Sequence, residues 1–140
     1  MSFLKLTNIS KQYPGAESAA VAALTLEASK GEVVILAGES GSGKSTTLRM
    51  IAGFELPDDG SIELDGRVLC GPARFVPPEN RDIGMVFQDY ALFPHMTIEE
   101  NVRFGLKGKS KREKIAKTLA LVDLARYASR FPHELSGGQQ

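Results

Sequence analysis

The spacing of apolar and polar residues divides the chain into a strand-rich first part and a helical last part. Loose alternation predicts half-buried strands over residues 3–9 and 22–29, the second with its two central leucines on one face. Residues 33–37 and 83–87 are apolar almost throughout, which is typical of central strands covered on both faces. The predicted order is antiparallel strands, a strand–loop–helix unit, another buried strand and then helices.

A short helix is predicted directly after the glycine-rich loop, at residues 44–53 (KSTTLRMIAG). Gly53 stands where a C-cap is expected, because glycine readily adopts the left-handed conformation that ends many helices. Asp65-Gly66 lies between two short apolar runs and predicts a β-hairpin. The inner side of the helix is predicted to carry Leu48, Ile51 and Ala52.

Two capping boxes predict the later helices. Thr97 with Glu100 opens one helix, and Ser110 with Glu113 opens the next. The second helix is expected to include residues 119–123 (LALVD), since Ile115 and Leu119 are spaced i,i+4.

Composition and charge narrow the class of protein. A chain of 140 residues is long enough for one domain with a core. Seventeen basic residues balance seventeen acidic ones, so no overall field favours nucleic acid or an anionic membrane. The single Cys70 excludes an internal disulfide and fits a reducing compartment. No secretion signal and no apolar run of about 18 residues is present, so we expect a cytoplasmic chain that reaches a membrane only through a partner.

The sequence GESGSGKS, residues 38–45, matches the phosphate-loop pattern. Its glycines let the backbone wrap around phosphate oxygens, while the following helix adds its positive end. Lys44 is expected to reach the β- and γ-phosphates and the Ser45 hydroxyl to ligate Mg²⁺. A glycine-serine turn before a lysine is the alternative. The predicted nucleotide-binding residues are Gly38, Glu39, Ser40, Gly41, Ser42, Gly43, Lys44, Ser45 and Thr46.

Three further stretches carry a resemblance to a family. LSGGQQ at residues 135–140 resembles the signature motif of ATP-binding-cassette (ABC) ATPases, and residues 85–102 (MVFQDYALFPHMTIEENV) resemble their Q-loop and the segment after it. KQYPG places Tyr13 where that family carries an aromatic residue that stacks on adenine. The motifs come in the family's order over essentially the whole chain.

The resemblance implies the fold. It is the α/β P-loop NTPase (ABC ATPase) core with an antiparallel β subdomain and an α-helical subdomain, incomplete at the C-terminus. Residues 1–87 would form the N-terminal part of the ATP-binding core with the β subdomain. Residues 88–140 would form the Q-loop and the helical subdomain up to the signature motif.

The resemblance also implies residue roles, with ATP and Mg²⁺ as cofactors. Gln88 would act with Lys44 in catalysis, with its amide oxygen on Mg²⁺ and its other end near the attacking water. A polar residue at a strand end is the alternative for Gln88, and a rim aromatic is the alternative for Tyr13. The signature residues would face the γ-phosphate held by the second ATPase subunit of a head-to-tail dimer. These residues are Ser136, Gly137, Gly138 and Gln139.

The family's paired Asp-Glu strand and its switch histidine have no match in the chain. Asp89 follows Gln88, and Asp123 lies in a predicted helix before a leucine. His95 and His133 both precede the signature motif and are expected to be surface or structural residues. We therefore expect the 140-residue chain alone to bind ATP without hydrolysing it, and to be unstable or self-associating because its two central strands would lack cover.

As a family member, the intact protein is predicted to be the ATP-hydrolysing subunit of an importer. It would lie on the inner face of the cell membrane, bound to transmembrane permease subunits and working indirectly with a solute-binding protein. The permeases would dock near residues 89–97, where Tyr90 and Phe93 offer apolar contact. Resemblance to importers of ferric iron, polyamines, sulfate and sugars, and the stretches AGFELPDDG and SRFPHELSGGQQ in particular, favours ferric iron.

Three alternatives remain open at this point. A soluble ABC protein acting on ribosomes or DNA would need a basic surface, for which residues 107–117 are the only candidate in the sequence and more typical of a solvated helix face. We expect no nucleic acid partner. A nucleotide-binding module without hydrolysis is the second alternative. An unrelated P-loop kinase or GTPase is the third, and it would leave Gln88 and the signature motif unexplained.

Overall fold

The computed structural model describes residues 2–88, 91–106 and 111–139, with only the backbone described at Lys111. The chain divides into two compact units, Met1–Met85 and Val86–Gln140, and each is described by itself. The assignment of residues 1–87 to an ATP-binding core and of residues 88–140 to a helical subdomain stays a prediction.

The first unit contains a five-stranded antiparallel sheet in the order β2-β1-β3-β4-β5. Leu6 of β1 lies opposite Leu26 of β2 and Ile62 of β3, which places apolar side chains of three strands on one face. The two strands predicted at the start of the chain and the hairpin at Asp65-Gly66 are confirmed. The strands are β1 (Leu4–Lys11), β2 (Val21–Ala28), β3 (Asp59–Leu64), β4 (Arg67–Gly71) and β5 (Arg74–Phe75).

Helix α1, Lys44–Ala52, joins this sheet through Met50, which is fully buried in the same core as Leu6 and Ile62. Gly53 is its C-cap with φ 90°, as predicted. The prediction of Leu48 on the inner side is wrong, since Leu48 is 49% exposed and lines an open apolar cavity. The face that closes on the core instead runs through Thr47 and Met50.

Both predicted central strands are absent: residues 33–37 and 83–87 form neither strand nor helix. Val33 is 87% exposed, Ile35 82% and Val86 90%. A parallel-type strand is stabilised by ladder partners and by cover on both faces, and no described strand pairs with either segment. An apolar run in the sequence shows that a segment favours a buried strand, but the strand forms only where partner strands are present.

A buried arginine ties the irregular stretch after β5 to the end of α1. Arg81 is 1% exposed; its Nε donates to the Val76 carbonyl (2.6 Å) and its Nη1 to the carbonyls of Met50 and Ile51 (both 2.8 Å). The guanidinium therefore meets the negative end of the helix dipole. Burial lowers the pKa of Arg81 from its ordinary value.

The described part of the second unit has two α-helices, α2 (Ile98–Phe104) and α3 (Lys111–Leu121), which pack through Ile98, Ile115 and Leu119, and two short 3₁₀ helices, Ala125–Tyr127 and Pro132–Glu134. The Thr97 capping box is confirmed: Thr97 N–H donates to Glu100 Oε2 (2.8 Å) and Glu100 N–H to Thr97 Oγ1 (3.3 Å).

The second capping box and the end of α3 have different outcomes. Ser110 lies outside the described residues. The prediction that residues 119–123 belong to the helix is wrong at its end, since α3 stops at Leu121. Asp123 lies beyond it with φ 56°, a left-handed conformation that ends helices. Within the described ranges, no helix is both long and apolar enough to cross a bilayer.

Candidate functional site

The phosphate loop lies between residues 33–37, which form no regular secondary structure, and the start of α1. Gly43 is the N-cap of α1 with φ 84°, and a Cβ there would overlap the Ala20 carbonyl oxygen. Only glycine fits both conditions without strain. No described side chain caps α1, so the first N–H groups of the helix are left for an anion to accept, next to the positive helix end.

Lys44 folds back onto the loop that precedes it. Its Nζ donates to the carbonyls of Gly38 (2.8 Å) and Glu39 (2.5 Å) and to Ser42 Oγ (3.1 Å). The Lys44 ammonium group therefore lies against the loop, and its three acceptors, two carbonyls and a hydroxyl, are all neutral. A phosphate group brings stronger, charged acceptors to the same place, so the arrangement fits a polyphosphate.

The metal-binding prediction rests on Ser45 and Gln88, of which Ser45 is exposed on the first turn of α1. Among the described residues, no cluster of three or more His, Cys, Asp or Glu side chains could hold a metal ion. Mg²⁺ commonly keeps several waters and takes one or two protein ligands together with substrate phosphates. A serine hydroxyl beside a phosphate cradle fits that pattern as one of the ligands.

Tyr13 lies beside Thr46 of α1, the residue that follows the loop, although the two are 33 positions apart in the sequence. Its hydroxyl is 3.4 Å from Thr46 Oγ1 and donates to Glu55 Oε2 at 3.3 Å. The structure therefore places three of the predicted site features together in the first unit: the loop, Thr46 and the half-buried tyrosine.

The other predicted site residues lie in the second unit. Gln88 is exposed in a turn, and the expectation that it ends a buried strand is wrong because residues 83–87 form no strand. Ser136, Gly137 and Gly138 are exposed. Ser136 N–H donates to Gln139 Oε1 (3.1 Å), and Gln139 N–H returns to the Ser136 carbonyl (2.8 Å). Asp89, Tyr90 and Gln140 lie outside the described residues.

The sequence analysis did not single out Lys11, Glu55 or Asp58, which surround Tyr13 on one side. Lys11 Nζ forms ion pairs with Glu55 (2.9 Å) and Asp58 (3.1 Å). These residues come from two distant stretches of sequence that β1 and β3 bring side by side. The sequence shows Lys11 two residues before Tyr13, but no local pattern predicts the two carboxylates that Lys11 contacts.

The comparisons with known proteins define the class. The family model described as ABC transporter matches residues 21–140, and the chain belongs to that family. The predicted family and the predicted α/β P-loop NTPase fold class are confirmed, and an unrelated P-loop kinase or GTPase is excluded.

Individual relatives are similar along the whole chain. The spermidine/putrescine import ATP-binding protein PotA of Nitrosospira multiformis is 46% identical over 145 residues, which cover 100% of this chain and 38% of the relative. The sn-glycerol-3-phosphate import ATP-binding protein UgpC of Chromobacterium violaceum is 44% identical, with coverage of 100% and 38%. The putrescine transport ATP-binding protein PotG of Escherichia coli is 49% identical, with coverage of 98% and 36%. The chain spans less than two fifths of the length of these relatives.

Solved structures agree with this assignment. The dimeric structure of MJ0796, a bacterial ABC transporter cassette, is 31% identical with a TM-score of 0.79, covering 97% of this chain and 64% of that one. A post-hydrolysis dimer of the same cassette bound to ADP and Pi has a TM-score of 0.76 at 29% identity, with the same coverage.

Proposed function

We propose that this chain forms the nucleotide-binding part of the ATPase subunit of an ABC importer. The proposal rests on the cradle around Lys44. Among the described residues no side chain caps the start of α1, and Gly43 has a left-handed conformation there. The Lys44 ammonium group is held by neutral carbonyl acceptors. Family membership and the import proteins among the relatives support ATP as the nucleotide and transport as the process that it drives.

In this proposal the loop binds the phosphates of ATP. Lys44 Nζ exchanges its bonds to the Gly38 and Glu39 carbonyls for oxygens of the β- and γ-phosphates, while the first amides of α1 donate to the same group. Mg²⁺, when bound, would neutralise charge developing on the phosphates, with the Ser45 hydroxyl as a protein ligand. Tyr13 provides a ring beside the loop for adenine. The remaining loop residues, Glu39 to Ser42 and Thr46, line the phosphate site.

The roles that the resemblance implies for residues 88 and 136–139 are part of the proposal. Gln88 is proposed to meet Mg²⁺ and the attacking water. Ser136, Gly137, Gly138 and Gln139 are proposed to face the γ-phosphate of a second ATPase subunit in a head-to-tail dimer, each ATP lying between one subunit's Lys44 loop and the other's signature turn. The exposure of the signature residues supports this role, and MJ0796 was solved as a dimer.

The partners proposed for the intact protein are transmembrane permeases and, indirectly, a solute-binding protein, with the subunit on the cytoplasmic face of the cell membrane. Phe93 lies in the predicted docking region, and its ring centroid is 4.5 Å from that of Phe104, which is 65% exposed, so the two rings offer an apolar patch. The cargo is better supported as a polyamine or a phosphate ester than as ferric iron, because the relatives are named for spermidine, putrescine and sn-glycerol 3-phosphate import.

Uptake and hydrolysis test the proposal together. Phosphate release from MgATP is measured for the full-length protein and its Lys44→Ala variant, and uptake of labelled putrescine, sn-glycerol 3-phosphate and ferric iron is measured in cells carrying either form. Lys44→Ala is expected to abolish phosphate release and the uptake of one solute, which names the cargo. Hydrolysis lost with all three uptakes unchanged would contradict the import of these three solutes. Hydrolysis that survives in Lys44→Ala would contradict the site itself.

A further inference from the structure

An ionic cluster joins the end of β1 to the loop after α1. Lys11 Nζ contacts Glu55 Oε1 (2.9 Å), Asp58 Oδ1 (3.1 Å) and the Leu56 carbonyl (2.8 Å). The side chains of Lys11 and Glu55 are only 13% and 24% exposed. Water and salt therefore screen this pair less than an ordinary surface pair.

Each carboxylate of the cluster uses its second oxygen to hold a neighbour of the ion pair. Glu55 Oε2 accepts from the Tyr13 hydroxyl (3.3 Å), and Asp58 Oδ2 accepts from the Gln12 N–H (2.7 Å). One carboxylate thus fixes the tip of the Tyr13 ring and the other fixes the backbone just before it. Tyr13 is therefore held at its hydroxyl group and through the backbone that precedes it.

Two groups of the cluster, Lys11 and Asp58, have pKa shifts that favour their charged forms. The hydrogen bond that the Lys11 ammonium donates to Glu55 raises the pKa of Lys11, although desolvation opposes it. The hydrogen bond from Gln12 N–H, followed by that from Lys11, lowers the pKa of Asp58. Lys11 Nζ also lies 5.8 Å from the centroid of the Tyr13 ring, a distance at which a cation is attracted to an aromatic face.

We propose that Glu55 is a positioning residue for the nucleotide base: it fixes the Tyr13 ring, through the hydroxyl group, in the orientation on which adenine stacks. The inference rests on the proposed function, which makes Tyr13 the platform for the base. A ring anchored before the ligand arrives loses less freedom on binding than a free one. The side chain then contributes to the binding of the base and not to that of the phosphates, which Lys44 and the α1 amides hold.

The test compares a ligand that has a base with one that lacks it. Dissociation constants for ATP and for inorganic tripolyphosphate are measured for the protein, for Glu55→Ala and for Tyr13→Phe, which keeps the ring and removes only the hydroxyl. Both variants are expected to bind ATP roughly three- to tenfold more weakly, the size expected for ordering one side chain, and to bind tripolyphosphate unchanged. The double variant is expected to be no weaker than either single one, because both remove the same contact.

Control variants separate positioning from folding. Glu27→Ala removes the carboxylate of another lysine–glutamate pair, Lys5 on β1 with Glu27 on β2, whose side chains are 47% and 53% exposed, and it is expected to change neither constant. If Glu55→Ala fails to fold, Tyr13→Phe and Glu55→Gln carry the comparison. Glu55→Gln keeps an acceptor for the hydroxyl and is expected to bind ATP within about twofold of the original.

The two hypotheses fail in different ways. If Tyr13→Ala leaves ATP affinity unchanged, the stacking role in the proposed function is wrong. If Tyr13→Ala weakens ATP binding selectively while Glu55→Ala and Tyr13→Phe do not, the positioning role of Glu55 is overturned and the stacking role stands. Equal weakening of ATP and tripolyphosphate by Glu55→Ala would also overturn it, since that result indicates a general structural role.

Discussion

The side-chain amide of Asn101 binds both backbone groups of Phe93. Phe93 N–H donates to Asn101 Oδ1 (2.8 Å), and Asn101 Nδ2 donates to the Phe93 carbonyl (3.1 Å). The same nitrogen lies 3.1 Å from the Met96 carbonyl and 3.0 Å from that of Thr97. One residue of α2 therefore fixes the segment that is proposed to face the permease.

Replacing Asn101 by Asp tests this arrangement. An aspartate still accepts from Phe93 N–H but cannot donate to the three carbonyls, so we expect a loss of about 1–3 kcal/mol in the free energy of unfolding and faster amide exchange at residues 93–97. Denaturant unfolding and hydrogen exchange measure the two effects. Asn80→Asp, at an exposed position in a 3₁₀ turn, is the control. Unaltered exchange in Asn101→Asp would show that α2 alone orders the segment.

Replacing Arg81 by Lys should be costly although the charge is kept. A lysine has no planar fork, and it cannot reach the Val76, Met50 and Ile51 carbonyls together. We expect unfolding to become easier by about 2–4 kcal/mol, measured by chemical denaturation. Arg74→Lys, on the exposed β5, is expected to change it by less than about 0.5 kcal/mol. Similar costs at the two positions would contradict the anchoring role of Arg81.

Gly43 and Gly15 have nearly the same φ, so a comparison of the two separates the cost of the left-handed conformation from the cost of steric overlap. Gly43 has φ 84° and Gly15 φ 79°, but a Cβ meets the Ala20 carbonyl at Gly43 and nothing within 4 Å at Gly15. We expect Gly15→Ala to cost about 1–2 kcal/mol of stability from the left-handed conformation alone. Gly43→Ala is expected to cost more and to weaken tripolyphosphate binding as well, as calorimetry would show. Equal effects would mean that the loop relaxes around the added methyl group.

Acid should weaken the capping box of α2. Hydrogen bonds from the backbone N–H and then the hydroxyl of Thr97 lower the pKa of Glu100 below its ordinary value of 4.5. A carboxyl with a depressed folded-state pKa stabilises the fold above its unfolded pKa, and this contribution is lost as pH falls through the folded value. Stability is therefore expected to fall as the pH drops below 4.5.

Glu100→Gln is the variant that isolates this effect, because glutamine keeps a capping acceptor without a proton to gain. The pH dependence of its thermal unfolding should be flatter below the same pH than that of the unaltered protein. Glu99→Gln removes a charge from the neighbouring exposed position and serves as the control. Identical slopes for Glu100→Gln and the unaltered protein would show that the acid sensitivity arises elsewhere.

The features that the sequence predicted correctly are those set by neighbours in the chain. The Asp65-Gly66 turn, the Thr97 capping box and the Gly53 C-cap each depend on a few consecutive residues. Alternation in β1 and β2 was visible because each strand has one covered face.

The features that were missed depend on residues far apart. Residues 33–37 have the apolar pattern of a central strand, yet a strand requires partners that its own pattern does not contain. Glu55 meets Tyr13 only because the sheet and α1 bring residues 13, 46 and 55 together. Nothing in the sequence singles out Arg81, whose burial is explained by its three carbonyl partners.

Nucleotide binding is the claim on which the rest of the account depends, and calorimetric titration with ATP tests it most directly. The protein is compared with Lys44→Ala and with Lys30→Ala, which removes an exposed lysine from the same unit. Since hydrogen bonds to charged groups contribute about 1.5–3 kcal/mol, Lys44→Ala should bind about 10- to 100-fold more weakly, while Lys30→Ala should bind as the unaltered protein does. Equal affinity in Lys44→Ala and the unaltered protein would contradict the assignment of the phosphate site to this loop.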